Sequence, residues 1–297
     1  MAAVDILIPH YNDPEGLALS LRSITEQTWG GETRIVIADD GSCSDVRKTL
    51  NALAEQAGCK LELIFNNSNR GRPYTRNVLL DAINSPYVAW LDAGDEWYPD
   101  KLAHQMAEIE LIGAAQPDRL HWVTCNYDWA WVGGKRKKVT QRTEQDQLKG
   151  LLMGSSLRAY LWTILGSAAG FKSIGWFDER LPRLQDLDFF IRFVLHGGVI
   201  KSPQTNAPLA IYHKSDIGRN ADEIRRCNAY LFDKHRVAYN RYGENFKRMR
   251  LFRMEMLAAR FAQSNNERRV VRQYFVRACR THPSAFLRHV WKNGLKA

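Results

Sequence analysis

Four short apolar runs alternate with stretches of helical period, and that alternation limits the fold more than anything else in the chain. The runs are VDILIP (4–9), RIVIAD (34–39), LELIF (61–65) and YVAWLD (87–92). Between the first two, residues 15–28 place Leu17, Leu21 and Ile24 at three- and four-residue spacing, the mark of a helix face. Residues 45–57 repeat the pattern, with Gly58 where a helix would stop, and residues 73–84 open on Pro73, which a first helical turn tolerates. Nearly all-apolar strands alternating with helices predict a parallel sheet covered on both faces.

In such a sheet ligands bind outside the carboxyl ends of the strands. Acids collect there. IVIADDGS (35–42) ends in Asp39 and Asp40, and VAWLDAGDEWYPDKL (88–102) carries Asp92 and Asp95 with only Ala93 and Gly94 between them. The first pair reads either as a turn, in which Asp accepts backbone bonds and Gly permits positive φ, or as an acceptor for a nucleobase or ribose. The second reads either as a solvated turn before a helix, or as hard oxygen ligands for Mg²⁺ or Mn²⁺. Asp186 lies just before LDFFIRFVLHG, an amphipathic helix, as an N-terminal cap or as a general base. Arg70, Arg72 and Arg76 in NNSNRGRPYTRN are a basic surface loop or a diphosphate contact.

Beyond residue 100 the order changes. Residues 101–112 are helical in pattern, and 120–132 and KKVTQ read as strands around the Gly133–Gly134 turn. The apolar stretch 151–171 is broken by Ser155, Ser156 and Arg158 and reads as buried core. From Ile224 onward the pattern is wholly helical. That segment holds 18 Lys/Arg against 4 Asp/Glu, a net +14, while the rest of the chain sums to −4. A mildly acidic body therefore carries a basic extension suited to meet anions, anionic lipid or nucleic acid among them. No zinc spacing, aromatic RNA-binding motif or helix-turn-helix spacing favours nucleic acid, and none is expected as partner. A solvated helical hairpin is the plainer alternative for the basic segment.

Five scattered cysteines, Cys43, Cys59, Cys125, Cys227 and Cys279, form no C-x-x-C pair and fit a reducing compartment. No signal peptide is apparent, and no run reaches the roughly 18 apolar residues that a spanning helix needs. The expectation is a cytoplasmic protein that meets the inner face of the plasma membrane peripherally.

The ordered set IPHYN, SLRSITEQT, IADDGS, NSNRGRPYTRN, YVAWLDAGDEWYPDKL, GWFDE and LQDLDFFIR, from about Asp5 to His213, resembles the family 2 glycosyltransferases, inverting enzymes of the GT-A fold. Single motifs are weak, but their order is specific. The resemblance implies an α/β, Rossmann-like, mostly parallel sheet flanked by helices, followed by a C-terminal helical region. It implies a catalytic domain over 1–215, with its nucleotide-sugar half at about 1–100 and its acceptor half at about 101–215, and a basic extension over 216–297. Pro9, Tyr11 and Asn12 would line the nucleotide pocket with Asp39 and Asp40. Arg70 and Arg76 would lie toward the diphosphate. Asp92 to Asp95, including Ala93 and Gly94, would stand for the metal-diphosphate motif. Asp95 would be the metal ligand, with Asp92 and His213 beside it, and Asp186 the base. Two departures stand out: Gly94 replaces an acid of that motif, and Gln185 replaces the acid that usually precedes the base. A UDP-sugar donor and a glycan or lipid-linked glycan acceptor follow from the resemblance, in bacterial surface polysaccharide or lipopolysaccharide assembly. A nucleotidyltransferase would want a glycine-rich phosphate loop that IPHYNDPEG lacks. An inactive domain that keeps only the fold, or a membrane- or nucleic-acid-binding protein using the basic helices, is the alternative.

Overall fold

The computed structural model describes residues 3–56, 60–116, 119–131, 133–213 and 220–294. Gly58, Cys59 and Val132 lie outside the described residues, as do Lys214 and Ser215 at the expected domain boundary. The chain forms two compact units, one of Met1–Arg180 with Gln185–Lys214, the other of Leu181–Leu184 with Ser215–Ala297.

The first unit opens with β1 (Ala3–His10), α1 (Pro14–Thr25), β2 (Glu32–Asp39), α2 (Ser44–Gln56), β3 (Lys60–Phe65), α3 (Arg72–Asp81) and β4 (Tyr87–Trp90). This is the alternation expected from the sequence. It continues through β5 (Glu96–Trp97), α4 (Lys101–Ala115), β6 (His121–Val123), β7 (Tyr127–Ala130), β8 (Arg136–Val139), α5 (Gln147–Met153), β9 (Leu165–Ser167), α6 (Ala168–Ser173), α7 (Gln185–Leu195), β10 (Val199–Lys201) and β11 (Ala210–His213). Seven strands make one sheet in the order β10-β6-β9-β4-β1-β2-β3. All its pairings are parallel except the two made by β9. The run 120–132, read as one strand, divides between two sheets: β6 joins the large one, and β7 joins a four-stranded sheet, β5-β11-β7-β8. Asn126 marks the break. It is buried, and its side-chain oxygen accepts the Gln141 N–H at 2.9 Å.

Local chemistry sets the helix ends. Asp13 accepts the Gly16 N–H and Pro14 opens α1; Asp146 caps α5 by accepting the Lys149 N–H. Trp122 on β6 lies stacked between Phe171, Phe189 and Phe193, which ties α6 and α7 to the sheet.

Asp5, an acid inside β1, is fully buried. Its carboxylate accepts from Arg34 Nε at 2.9 Å, from the Asn84 and Ser85 N–H groups, and from Ser85 Oγ. Burial pushes its pKa up, but the Arg34 guanidinium and these donors outweigh burial and hold it below the ordinary value. Its stabilising contribution is therefore present at neutral pH and lost as pH falls through the depressed native value. Asp5→Ala is expected to cost about 3 kcal/mol, because it removes the buried partner of Arg34, which keeps only Glu62 and the Ala82 carbonyl, and leaves the Asn84 and Ser85 N–H groups without their acceptor. Urea unfolding of both proteins at pH 7 checks this, and the gap should narrow on acidification toward pH 3.

The second unit is helical: α8 (Ala221–Lys234), α9 (Arg236–Asn240), α10 (Gly243–Ser264), α11 (Arg268–Thr281) and α12 (Pro283–Asn293). Its core packs Ile224, Phe252, Met256, Ala259, Tyr274 and Phe275. Asn220 caps α8 through the Glu223 N–H, and Tyr274 donates to Asp222. Cys43, Cys125, Cys227 and Cys279 are free thiols. Among the described residues, no helix is long and apolar enough to cross a membrane.

Candidate active site

Because β1, β2, β3 and β4 run parallel, their carboxyl ends share one edge. Tyr11 and Asn12 follow β1, Asp39 and Asp40 close β2, and Asp92 follows β4. Asn12 has φ +48, unusual outside glycine, and is held on both sides: its N–H donates to Ser42 Oγ at 2.8 Å and its side-chain oxygen accepts the Cys43 N–H at 3.1 Å. Tyr11 beside it is 48% exposed.

The two acids at the end of β2, Asp39 in the strand and Asp40 just after it, face protein donors. Asp39 accepts from His10 Nδ1 at 2.9 Å and from the Ser42 N–H at 3.0 Å. The Asp13 N–H donates to His10 Nε2 at 3.2 Å, which fixes the imidazole proton on Nδ1. Asp40 accepts the N–H groups of Arg70 at 2.9 Å and Gly71 at 2.8 Å. Thus Asp40 pins the loop that carries Arg70 and Arg72. Gly41, at φ +77, allows that loop close, since a Cβ there would come within 2.3 Å of the Ser68 backbone.

The turn after β4 is braced from α1. Ser20, fully buried, donates to the Asp95 carbonyl at 2.7 Å and accepts the Gly94 N–H at 3.0 Å. Gly94 has φ +91, a conformation an aspartate would adopt only under strain. The missing acid of the motif therefore has a backbone reason.

Three carboxylates converge behind this turn. Arg76, fully buried on α3, donates through Nη2 to Asp92 at 2.9 Å and through Nη1 to Asp186. Asp186, expected just before α7, lies in its first turn and also accepts the Leu161 N–H at 3.3 Å. Asn77, next to Arg76, bonds both the N–H and the carbonyl of Phe177 and so fixes the GWFDE segment. Burial pushes the Asp186 carboxyl up; Arg76 opposes this and Asp92 adds to it, so Asp186 stays above the ordinary aspartate range. Asp92 is held low, because Arg76 and Arg72 outweigh its burial.

Asp95 differs. Its carboxylate accepts the His213 N–H at 2.9 Å, and burial with the Asp92 charge drives its pKa well up. A buried carboxylate beside a second one, with no ion pair of its own among the described residues, is held in its charged form most readily by a cation. Asp92 and Asp95 fit a Mg²⁺ or Mn²⁺ bound by two carboxylates and completed by substrate phosphate. They do not make a closed protein cage: no three His, Cys, Asp or Glu among the described residues stand close enough for one. His213 reaches Asp95 through its backbone, while its ring bonds Glu96 at 2.6 Å.

Arg70 stacks on Tyr74, with 3.6 Å from guanidinium to ring centroid, and lies 3.9 Å from Glu179. Arg72, the first residue of α3, is exposed, and its charge acts on Asp92, Asp95 and Asp186 together. The sequence places Arg72 in the basic loop without distinguishing it from its neighbours. Ser20 and His10 carry a faint signal only: polar residues on an apolar helix face and at a strand end.

Among the tryptophans, Trp90, Trp97, Trp122 and Trp162 are buried core. Trp129 packs on Trp131 and on Tyr212, and Tyr212 stacks on Tyr160 and Trp162, giving a half-buried aromatic wall.

The relatives carry the same theme. Amylovoran biosynthesis glycosyltransferase AmsB of Erwinia amylovora is 29% identical over 212 residues, which cover 70% of this chain and 68% of AmsB. The Escherichia coli UDP-Glc:alpha-D-GlcNAc-diphosphoundecaprenol beta-1,3-glucosyltransferase WfgD is 29% identical over 104 residues, 35% of this chain and 40% of WfgD. S. aureus TarS 1-349, solved in complex with UDP-GlcNAc, superposes with a TM-score of 0.61 at 14% identity, covering 99% of this chain and 92% of that one. The sequence model of Glycosyl transferase family 2 matches residues 5–160, more than half of the 297. A mostly parallel sheet that gathers acids at its carboxyl edge, and relatives of this kind, have one explanation: the chain belongs to glycosyltransferase family 2 and has the GT-A fold.

Proposed function

We infer that this glycosyltransferase moves a sugar from a UDP-sugar to a hydroxyl of a lipid-linked glycan, with inversion, in bacterial surface polysaccharide or lipopolysaccharide assembly. The observation that carries the reading is the buried Asp92–Arg76–Asp186 clasp beside Asp95 at the sheet's carboxyl edge. The donor and acceptor classes are drawn from WfgD, whose name gives UDP-Glc and a diphosphoundecaprenol-linked sugar, and from TarS, solved in complex with UDP-GlcNAc. Residues 1–215 act as the catalytic domain, donor half first and acceptor half from about 101, and 216–297 as a basic extension.

Each group has a role in this reading. Pro9, Tyr11 and Asn12, with Asp39 and Asp40 behind them, form the nucleoside end. Arg70 and Arg72 meet the diphosphate, and a guanidinium suits it because its donors match paired phosphate oxygens. Asp95 and Asp92, across Ala93 and Gly94, would hold the divalent cation, with His213 bracing Asp95. When bound, that cation offsets charge on the diphosphate. Asp186, raised above the ordinary aspartate range by burial and paired with Arg76, accepts the proton of the attacking hydroxyl. The Tyr160–Tyr212–Trp129 wall offers faces for the acceptor sugar.

The test is UDP release from UDP-glucose and UDP-GlcNAc, with and without a polyprenyl-diphosphate-linked sugar. Acceptor-dependent release from one donor supports the reading, and none from either donor counts against it. Arg72→Ala is expected to raise the donor KM about tenfold or more, the scale of a lost charge-assisted contact, with smaller change in kcat. An unchanged KM would remove Arg72 from the diphosphate site.

A further inference from the structure

Helices α11 and α12 carry charge of one sign. From Arg268 to Ala297 there are eight Lys/Arg and no Asp or Glu. On α12, Ser284, Leu287, Arg288, Trp291 and Lys292 are all exposed, and their spacing puts them on one side of the helix. Leu287 is 66% exposed and Trp291 is 91% exposed, one turn apart. The opposite side holds Ala285, which is buried, and Phe286, packed on the unit's core. The exposed pair is therefore not an accident of a helix without a core face. On α11, Val276 is 50% exposed, between Arg272, Arg277 and Arg280.

We propose that this face of α12 is a membrane-docking surface. Leu287 and Trp291 enter the headgroup–acyl boundary of an anionic bilayer, and Arg288, Lys292 and the α11 arginines lie against lipid phosphates. The chemistry matches at both levels. A tryptophan is amphipathic and settles at the interface, a leucine contributes only apolar burial, and flanking cations gain from the negative leaflet. Nucleic acid would use the cations and could stack on Trp291, but it gives no reason to expose Leu287 and Val276. A second copy of this acid-free face would bring like charges together. The inference rests on the charge and exposure of this helical unit alone, so it stands or falls separately from the donor and acceptor assignments.

The test is vesicle flotation of the full chain. Phosphatidylcholine vesicles with about 30% phosphatidylglycerol are compared with pure phosphatidylcholine, at low salt and at about 0.5 M NaCl, where exposed charges are screened. The wild type is expected to float with the anionic vesicles only, and less at high salt. The double variant Leu287→Gln/Trp291→Gln is expected to lose about tenfold or more in partitioning, since two apolar insertions go. Both residues are exposed, so the variant should keep the wild-type circular dichroism, and its UDP-sugar hydrolysis without lipid should be unchanged. Four outcomes overturn the proposal: no flotation of the wild type, equal flotation of the variant, a wild-type dimer that the variant dissolves, or binding to single-stranded DNA in preference to vesicles.

Discussion

Asp186→Asn is expected to reduce sugar transfer by about a thousandfold while leaving nucleotide affinity within about twofold, the scale of removing a general base and little else. The amide keeps the size of the carboxylate, and its one oxygen can still accept from Arg76, while the Leu161 N–H loses the second oxygen that accepts it in the wild type, so the fold around it should hold at a modest cost. What it cannot do is take a proton. The wild-type pH profile should show the same group. Burial, with help from Asp92, raises Asp186 above the ordinary aspartate value of 3.8 despite Arg76, so activity should fall on the acid side through a pKa above that value. In Asp186→Asn the residual rate should lose the part of that limb that belongs to Asp186 and keep the part that belongs to Asp95, whose carboxyl is also raised. Near wild-type turnover, or a pH profile identical to the wild type, would assign the base elsewhere.

Arg76→Met is expected to do wider damage. It removes the one buried cation shared by Asp92 and Asp186, and leaves two desolvated carboxylates facing each other. Breaking a buried pair from one side costs about 3–5 kcal/mol, and here two acids lose their partner. The sign with pH is fixed. Without Arg76 both carboxyl groups should rise, so the folded state binds protons more readily than the unfolded chain. The stability deficit should then be largest near pH 8 and shrink toward pH 5. Thermal unfolding across that range checks it. A deficit independent of pH would mean that Arg76 acts by packing over Phe177, where its guanidinium lies 5.7 Å from the ring centroid.

The first hundred residues were legible because each strand–helix unit there states its period plainly and ends in turn chemistry. Acids at strand ends marked the functional edge for the same reason: the parallel order puts those ends together. Less could be read where the constraint is tertiary. The break at Asn126 between two sheets follows from a hydrogen bond to Gln141, fifteen residues away, and no local pattern announces it. Asp40 looked like a ligand acceptor, and the structure shows it also holding the Arg70–Gly71 backbone, because loops packed on a strand end need acceptors too. Gly94 stood out as a lost acid, and its φ of +91 shows why glycine sits there. Arg76 was expected near the diphosphate, yet its nearest partners are the two catalytic-edge acids, a pairing spread over 110 residues of sequence. The glycine-free, acid-free surface of α12 was visible only as charge; the exposure of Leu287 and Trp291 needed coordinates.

Asp92 and Asp95 are proposed as the place where a nucleoside diphosphate and a divalent cation meet. Thermal stability with a panel of nucleoside diphosphates, each with and without Mn²⁺, tests it most directly. A ligand that binds only the folded state stabilises it by about 2.7 kcal/mol at a hundredfold excess over Kd. A clear shift with UDP is expected, one that needs Mn²⁺ and disappears in Asp95→Asn. No shift with any nucleotide, or a shift indifferent to both the metal and Asp95, would contradict it.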